Sequence, residues 1–302
     1  MPENNKKFLN FGSLNQDMVY SVDHSVRPGE TTASSKLEFF CGGKGLNQSI
    51  ALAKAGAAVR HAGCVGSDGS RLTAKLRENG IDTDLIKECD MPSGHAIIQV
   101  DKNGQNSILL FGGANKQISE EQIAEVMSDF KAGDRLFLQN EINNVDKIIS
   151  AASEKGMEIV FNPSPFGEEI LSYPLDKITW FVVNETEARE LTGESEPDKI
   201  LSVFSEKYPS AKILLTLGSD GSVCRADGKI YRQEIFSVPV ADTTAAGDTF
   251  LGFFFALVDS HGIDGALRYA SAASAVAVSR KGASSSIPLL SEVEEFLNNK
   301  KK

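Results

Sequence analysis

The chain has 302 residues, 41% of them hydrophobic, which is enough for one large α/β domain or two small ones around a sizeable core. Its 31 Lys and Arg stand against 41 Asp and Glu, a formal net charge of -10 that argues against nucleic acid or an anionic membrane as partner. The one basic run, Lys300-Lys301-Lys302, reads as a solvated tail.

In chain order, Phe8–Phe11 reads as a first strand, and Met18–Val22 with Ser35–Phe40 as a pair of strands. Gly42-Gly43-Lys44-Gly45-Leu46-Asn47-Gln48 then opens a small-residue helix, Leu46 to Ala55, closed by Gly56. A simple tight turn would explain the glycines. A ligand-holding loop would also explain Lys44 and Asn47, whose polar heads fall in or beside the first helical turn. The spacing matches neither the Walker A loop nor the dinucleotide fingerprint.

Val59–Val65 reads as the next strand, and His95–Val100 with Ser107–Phe111 as a second pair joined by a turn around Asn103-Gly104. From there helices Ser119–Met127, Val145–Lys155 and Glu185–Leu191 alternate with strands Arg135–Leu138, Glu158–Phe161, Ile178–Val183 and Lys212–Thr216. Such alternation predicts βαβ units and a mostly parallel sheet. The two strand pairs break the rhythm and predict a small antiparallel sheet projecting from the main one.

Asp242-Thr243-Thr244-Ala245-Ala246-Gly247-Asp248-Thr249-Phe250 places two carboxylates around a small-residue turn that runs into the apolar Phe250 to Val258. Small residues let backbone amides approach a ligand, and the first free N–H groups of a helix form an anion site. Asp248 is then either a plain N-cap or a general base set beside a bound phosphate.

Met1 to Lys7 is polar rather than signal-like, and no apolar run approaches the roughly 20 residues of a membrane span. Cys41, Cys64, Cys89 and Cys224 lack Cys-x-x-Cys spacing, so a reducing cytoplasm is expected. His24, His61, His95 and His261 show no zinc-ligand spacing.

With these segments in order, the chain resembles the ribokinase-type members of the PfkB family of ATP-dependent sugar and nucleoside kinases. The resemblance runs end to end: Gly12-Ser13-Leu14-Asn15-Gln16-Asp17, Pro28-Gly29-Glu30-Thr31, the Gly-Gly-Lys-Gly helix start, Glu141, Asn184-Glu185-Thr186-Glu187, Thr216-Leu217-Gly218-Ser219-Asp220-Gly221, the Asp248 segment and Arg280-Lys281-Gly282-Ala283. It implies one domain over residues 1–302: a three-layer, Rossmann-like, mostly parallel sheet flanked by helices. The strand pairs, about 16–40 and 95–112, become a lid over the sugar and the contact of a homodimer.

The implied reaction is ATP-dependent phosphorylation of D-ribose at its 5-hydroxyl, with Asp248 as general base and the amides of Ala245, Ala246 and Gly247 as an anion hole. Asn15, Asp17, Gly43, Lys44, Asn47 and Glu141, with Asp248, fall where the family binds sugar. Asn184 and Glu187 fit its Asn-x-x-Glu motif for magnesium and phosphate. Thr216, Gly218, Ser219, Gly221 and Gly247 fit its nucleotide loop, and Ser271 its adenine contact. Asp242, Thr244, Ala277, Arg280, Gly282 and Ser286 match a monovalent-cation site, with potassium the expected ion.

One departure is local: Gly66-Ser67-Asp68-Gly69-Ser70-Arg71 is shorter than the family's Gly-x-Asp-x-x-Gly and lacks its last glycine. Another sugar or a nucleoside as acceptor, or a sugar sensor without catalysis, are the competing readings.

Overall fold

The computed structural model describes residues 6–300, so Met1 to Asn5 and Lys301-Lys302 lie outside the described residues. Strands β1 (Phe8–Phe11), β2 (Asn15–Ser21) and β3 (Lys36–Gly42) lead into α1 (Lys44–Lys54). They are followed by β4 (Val59–Gly66), α2 (Ser70–Glu78), β5 (Asp82–Cys89), β6 (Gly94–Val100) and β7 (Asn106–Phe111). Next come α3 (Glu120–Ser128), β8 (Arg135–Gln139), α4 (Val145–Glu154), β9 (Glu158–Asn162), β10 (Trp180–Asn184) and α5 (Glu185–Thr192). The chain closes with α6 (Pro197–Lys207), β11 (Lys212–Thr216), β12 (Ser222–Ala226), β13 (Lys229–Gln233), α7 (Ala246–Val278) and α8 (Leu290–Asn299).

Nine strands form the main sheet in the order β13-β12-β11-β10-β9-β8-β1-β4-β5. It is parallel apart from β12 and β13, a hairpin at one edge. Side chains alternate across it as strand geometry requires. Leu9, Leu136, Phe161 and Phe181 face the core shared with α3 to α6, while Phe8, Phe137, Val160 and Trp180 face that of α1, α2, α7 and α8. Both faces are thus covered, the condition under which parallel sheets occur.

The expected strands and helices are present with boundaries shifted by up to three residues: β2 starts at Asn15 rather than Met18, and β10 at Trp180 rather than Ile178. β5, α2, α6, β12, β13 and α8 are additional. Helix α7 runs on both sides of a break at Gly262 (φ 68°, ψ 177°), and its Phe253, Phe254 and Phe255 are fully buried. Its length and apolarity therefore serve the interior of the fold.

The expected small antiparallel sheet differs in one pairing. It is a four-stranded sheet, β3-β2-β6-β7, whose outer pairs are antiparallel but whose central pair, β2 with β6, is parallel, Asn15 facing Gly94 and Ser21 facing Val100. Both strands leave from the carboxyl ends of the main sheet's parallel strands, after β1 and after β5, so they run outward in the same direction. Gly104 takes φ 80° at the β6–β7 turn, where Asp101 and Gln105 pair.

The short Gly66–Arg71 loop is held without its missing glycine. Asp68 Oδ1 accepts from Ser93 N at 2.9 Å, and Gln16 Nε2 of β2 donates to Asp68 Oδ2 at 3.1 Å. A loop of the main sheet is thereby tied to the smaller sheet.

Candidate functional site

Open parallel sheets place ligands at the carboxyl ends of their strands, and here those ends carry Asn15, Glu141, Asn162, Asn184 and Thr216, after or at the end of β1, β8, β9, β10 and β11. Two helix starts, those of α1 and α7, meet them.

On the side of the smaller sheet, Asn15 is buried and its Oδ1 accepts from Asn115 Nδ2 at 2.7 Å. Asp17 follows on β2. Burial, then the neighbouring charge of Glu141, push its carboxyl up to about 7. Glu141 Oε2 accepts from the Ser13 hydroxyl and, at 2.9 Å, from the Lys44 N–H. Gly43 caps α1 at φ 92°, where a β-carbon would lie 3.1 Å from Asn15 N and 3.2 Å from Ser13 O. The turn thus needs glycine twice over, for its backbone angle and for its close approach.

Asn47, one turn into α1, donates to Asp248 Oδ2 at 3.4 Å, and its own Oδ1 is buried without a partner among the described residues. An orphaned buried acceptor of this kind fits a site built for a ligand hydroxyl. Burial alone would pull Lys44 down. The carboxylates of Asp248, Glu141 and Glu187 outweigh it and hold the ammonium above its ordinary value. The sequence-predicted sugar residues are therefore one connected group, running from Asp17 through Glu141 and Lys44 to Asn47 and Asp248.

Asp248 is 8% exposed, at the first turn of α7. Ala245 enters that turn in the left-handed region, φ 60°. The Ala246 N–H donates to Thr243 O at 3.2 Å and the Thr249 N–H to Ala245 O at 2.8 Å. The Ala246 amide expected in the anion hole is thus already engaged, while Gly247 and Asp248 line a cleft of about 250 Å³ with Lys44, Asn184 and Glu187. Asn184 and Glu187 form a reciprocal capping box: Asn184 Oδ1 accepts from Glu187 N at 2.9 Å, and Glu187 Oε2 from Asn184 N at 3.1 Å.

The adjoining cleft, about 610 Å³, is lined by Asn184, Thr216, Gly218, Ser219, Gly221, Gly247 and Ser271, and by the apolar Phe236, Val240, Phe250 and Val278. Every residue expected to hold nucleotide lines it except Glu187, which lines the smaller cleft. Its apolar walls and polar mouth fit a flat base with a phosphate chain. The Ser271 hydroxyl donates to Glu234 O at 3.0 Å, so it also fastens α7 to the segment after β13.

Of the residues expected at a cation site, Asp242, Thr244 and Gly282 are joined by hydrogen bonds. Asp242 Oδ1 accepts from Thr244 N (2.9 Å) and Oγ1 (2.6 Å), and Oδ2 from Gly282 N at 3.0 Å. Burial alone would raise this carboxyl; those hydrogen bonds prevail and hold it below its ordinary range. Ala277 O accepts from Arg280 N at 3.0 Å, Arg280 pairs with Glu292 at 2.6 Å, and the Ser286 hydroxyl donates to Ala283 O at 2.8 Å.

Sequence reasoning missed Ser13, Gln48, Asn115, Gln139 and Asn162. A signal existed for two of them: Gln139 and Asn162 are polar residues that follow three apolar ones at the carboxyl ends of β8 and β9.

Residues 5–290 match the pfkB family of carbohydrate kinases, and the chain belongs to that family. It is 39% identical to a ribokinase of Haemophilus influenzae over 302 residues, 95% of this chain and 97% of the relative. It is 32% identical to a deoxyribokinase of Salmonella typhi over 298 residues, 95% and 97% of the two chains. The solved structure of an Arabidopsis thaliana ribokinase with ribose and ATP superposes with a TM-score of 0.84 at 29% identity, covering 97% of this chain and 98% of that one.

Proposed function

We propose that the protein transfers the γ-phosphoryl group of ATP to the 5-hydroxyl of D-ribose, giving D-ribose 5-phosphate and ADP. The observation that carries this reading is the position of Asp248, between a polar group suited to a small sugar and a cleft suited to a nucleotide. Asn15, Asp17, Gly43, Lys44, Asn47 and Glu141 hold the sugar, with carboxylates accepting from vicinal hydroxyls. Asp248 takes the proton of the 5-hydroxyl as that oxygen bonds to the γ-phosphorus and the bond to ADP breaks. The amides of Gly247 and Asp248 receive the charge on the transferring group, that of Ala246 being engaged by Thr243 O. In a loose transition state this alignment and charge placement count for more than deprotonation.

Magnesium belongs to the same proposal. Its preference for oxygen ligands and retained waters suits the Glu187 carboxylate and Asn184 beside the phosphate space, and when bound it would neutralise phosphate charge. Potassium is proposed at the loop of Asp242, Thr244, Ala277, Arg280, Gly282 and Ser286, with backbone carbonyl oxygens as the donors that the family resemblance implies. An ion there would stiffen the turn that enters α7.

The β2, β3, β6 and β7 sheet is proposed as a lid within a single α/β domain, excluding water from the γ-phosphate. Its exposed Leu37, Phe39 and Phe40 on β3, and Ile108, Leu109, Leu110 and Phe111 on β7, support a homodimer through this sheet. Free Cys41, Cys64, Cys89 and Cys224 support a cytoplasmic setting.

The test is ADP release with magnesium and ATP across D-ribose, 2-deoxyribose, fructose, fructose 6-phosphate and adenosine, with potassium or sodium. Selective turnover of ribose is expected, and its dependence on potassium would support the cation loop. Preference for 2-deoxyribose would keep the mechanism and reassign the sugar. No turnover with any acceptor would overturn the reading.

A further inference from the structure

Gln48 follows Asn47 on α1 and is fully buried. Its Nε2 donates to Asp248 Oδ1 at 3.0 Å and to Asn162 Oδ1 at 3.3 Å. Its Oε1 accepts from Gln139 Nε2 at 2.6 Å, and that nitrogen also donates to Asn10 Oδ1 at 3.1 Å. Asn10 Nδ2 is held in turn by Gly45 O and Ser49 Oγ, both at 2.9 Å. On the other side Asn162 Nδ2 reaches Glu187 Oε2 at 3.2 Å.

The direction of the Gln48 amide is therefore dictated from both ends. Flipping it would set its carbonyl against the Asp248 carboxylate and its NH2 against that of Gln139, two repulsive contacts in place of two hydrogen bonds. Asp248 Oδ1 is thus anchored by a short bond. Oδ2 has only the long one from Asn47, and it faces the group proposed to hold the sugar.

We infer that Gln48 is the positioning residue of the phosphoryl-transfer step: it immobilises Asp248 through Oδ1 so that Oδ2 is presented to the attacking hydroxyl. Through Asn162 the same amide ties Asp248 to the Asn184–Glu187 helix start, so both sides of the transferring phosphate share one rigid frame. The inference rests on the reading of Asp248 as the base.

The experiment is a single-turnover measurement of phosphoryl transfer to D-ribose, with binding of ribose and ATP measured separately, on Gln48→Met, Gln48→Glu, Gln139→Met and Asp248→Asn. Gln48→Met keeps length and burial without a donor; Gln48→Glu keeps shape and reverses polarity. Both are expected to slow transfer about 10- to 100-fold, the scale of a small misplacement of a reacting group, with both affinities of the folded protein little changed and the melting temperature lowered, more so by the buried carboxyl of Gln48→Glu. Gln139→Met leaves Gln48 free to turn and should give a smaller loss of the same kind; it decides the matter if neither Gln48 variant folds. A folded Gln48 variant with the parental rate, or one losing rate and both affinities together, overturns the inference. Parental rates in the Gln48 variants beside an inactive Asp248→Asn sink this inference alone, whereas an active Asp248→Asn sinks the base reading with it.

Discussion

The Asp17 carboxylate lies directly over the α-carbon of Gly42: a β-carbon there would fall 2.0 Å from Asp17 Oδ2 and 2.6 Å from its Cγ. Gly42 pairs with Asn15 across β3 and β2, so a single backbone site makes room for one proposed sugar ligand and spaces another. Gly42→Ala should push Asp17 aside and raise the KM for ribose by roughly tenfold or more, the scale set by a displaced charged hydrogen bond, while the KM for ATP holds. Steady-state kinetics in both substrates checks this.

Asp17 also sets a pH dependence. With its carboxyl raised to about 7 by burial and by Glu141, the ligand-free protein holds it protonated below neutrality. Ribose hydroxyls need the ionised form as acceptor, so the KM for ribose should climb about tenfold per pH unit below pH 7, as the binding-competent fraction shrinks, and ribose binding should release protons. Calorimetry in buffers of differing ionisation enthalpy would detect that release.

The same shift governs stability with the opposite sign from an ordinary salt-bridged aspartate. The folded value exceeds the unfolded 3.8, so the contribution of Asp17 is present below about pH 4 and lost as pH rises through about 7. Asp17→Asn should therefore raise the melting temperature of the ligand-free protein by an amount that grows across this window and levels off above it. A pH-independent difference would contradict the assignment.

Ala245 holds φ 60° and ψ 12° at the entry to α7, a conformation that disfavours any residue with a β-carbon. Ala245→Gly should stabilise the fold by about 1 kcal/mol or less and slow phosphoryl transfer, because the relaxed turn no longer presets the Gly247 and Asp248 amides. Thermal denaturation paired with single-turnover rates tests both halves.

Arg135, 2% exposed at the amino end of β8, donates to Glu158 (2.8 Å), Phe255 O (3.0 Å) and Asp259 (3.2 Å), with Lys6 bridging the same two acids. Arg135→Leu should cost about 2–4 kcal/mol, below the full loss for a buried pair because both acids stay partly exposed. The site lies at the opposite ends of the strands, so the KM values of the folded fraction should not move. Urea denaturation with parallel kinetics separates the two.

Much of this molecule follows from local chemistry. Apolar runs of four to eight residues, bounded by glycine and polar turns, are strands because β-branched and aromatic side chains fill a sheet covered on both faces. Gly43, Asn184 and the small-residue turn before Asp248 announce helix starts by residue type, and a helix start is a local object. Tertiary structure decided what pairs with what. That β2 and β6 run parallel depends on which ends of the main sheet's strands each leaves from, a relation between segments some 80 positions apart. Gln48 meets Asp248 across 200 positions, Asn10 meets Gln139 across 129, and Asp17 titrates near neutrality through the burial and the Glu141 charge that only packing supplies. Hydrogen-bond partners and desolvation are set by distance in space, and sequence spacing reports that distance only within a helix, a strand or a turn.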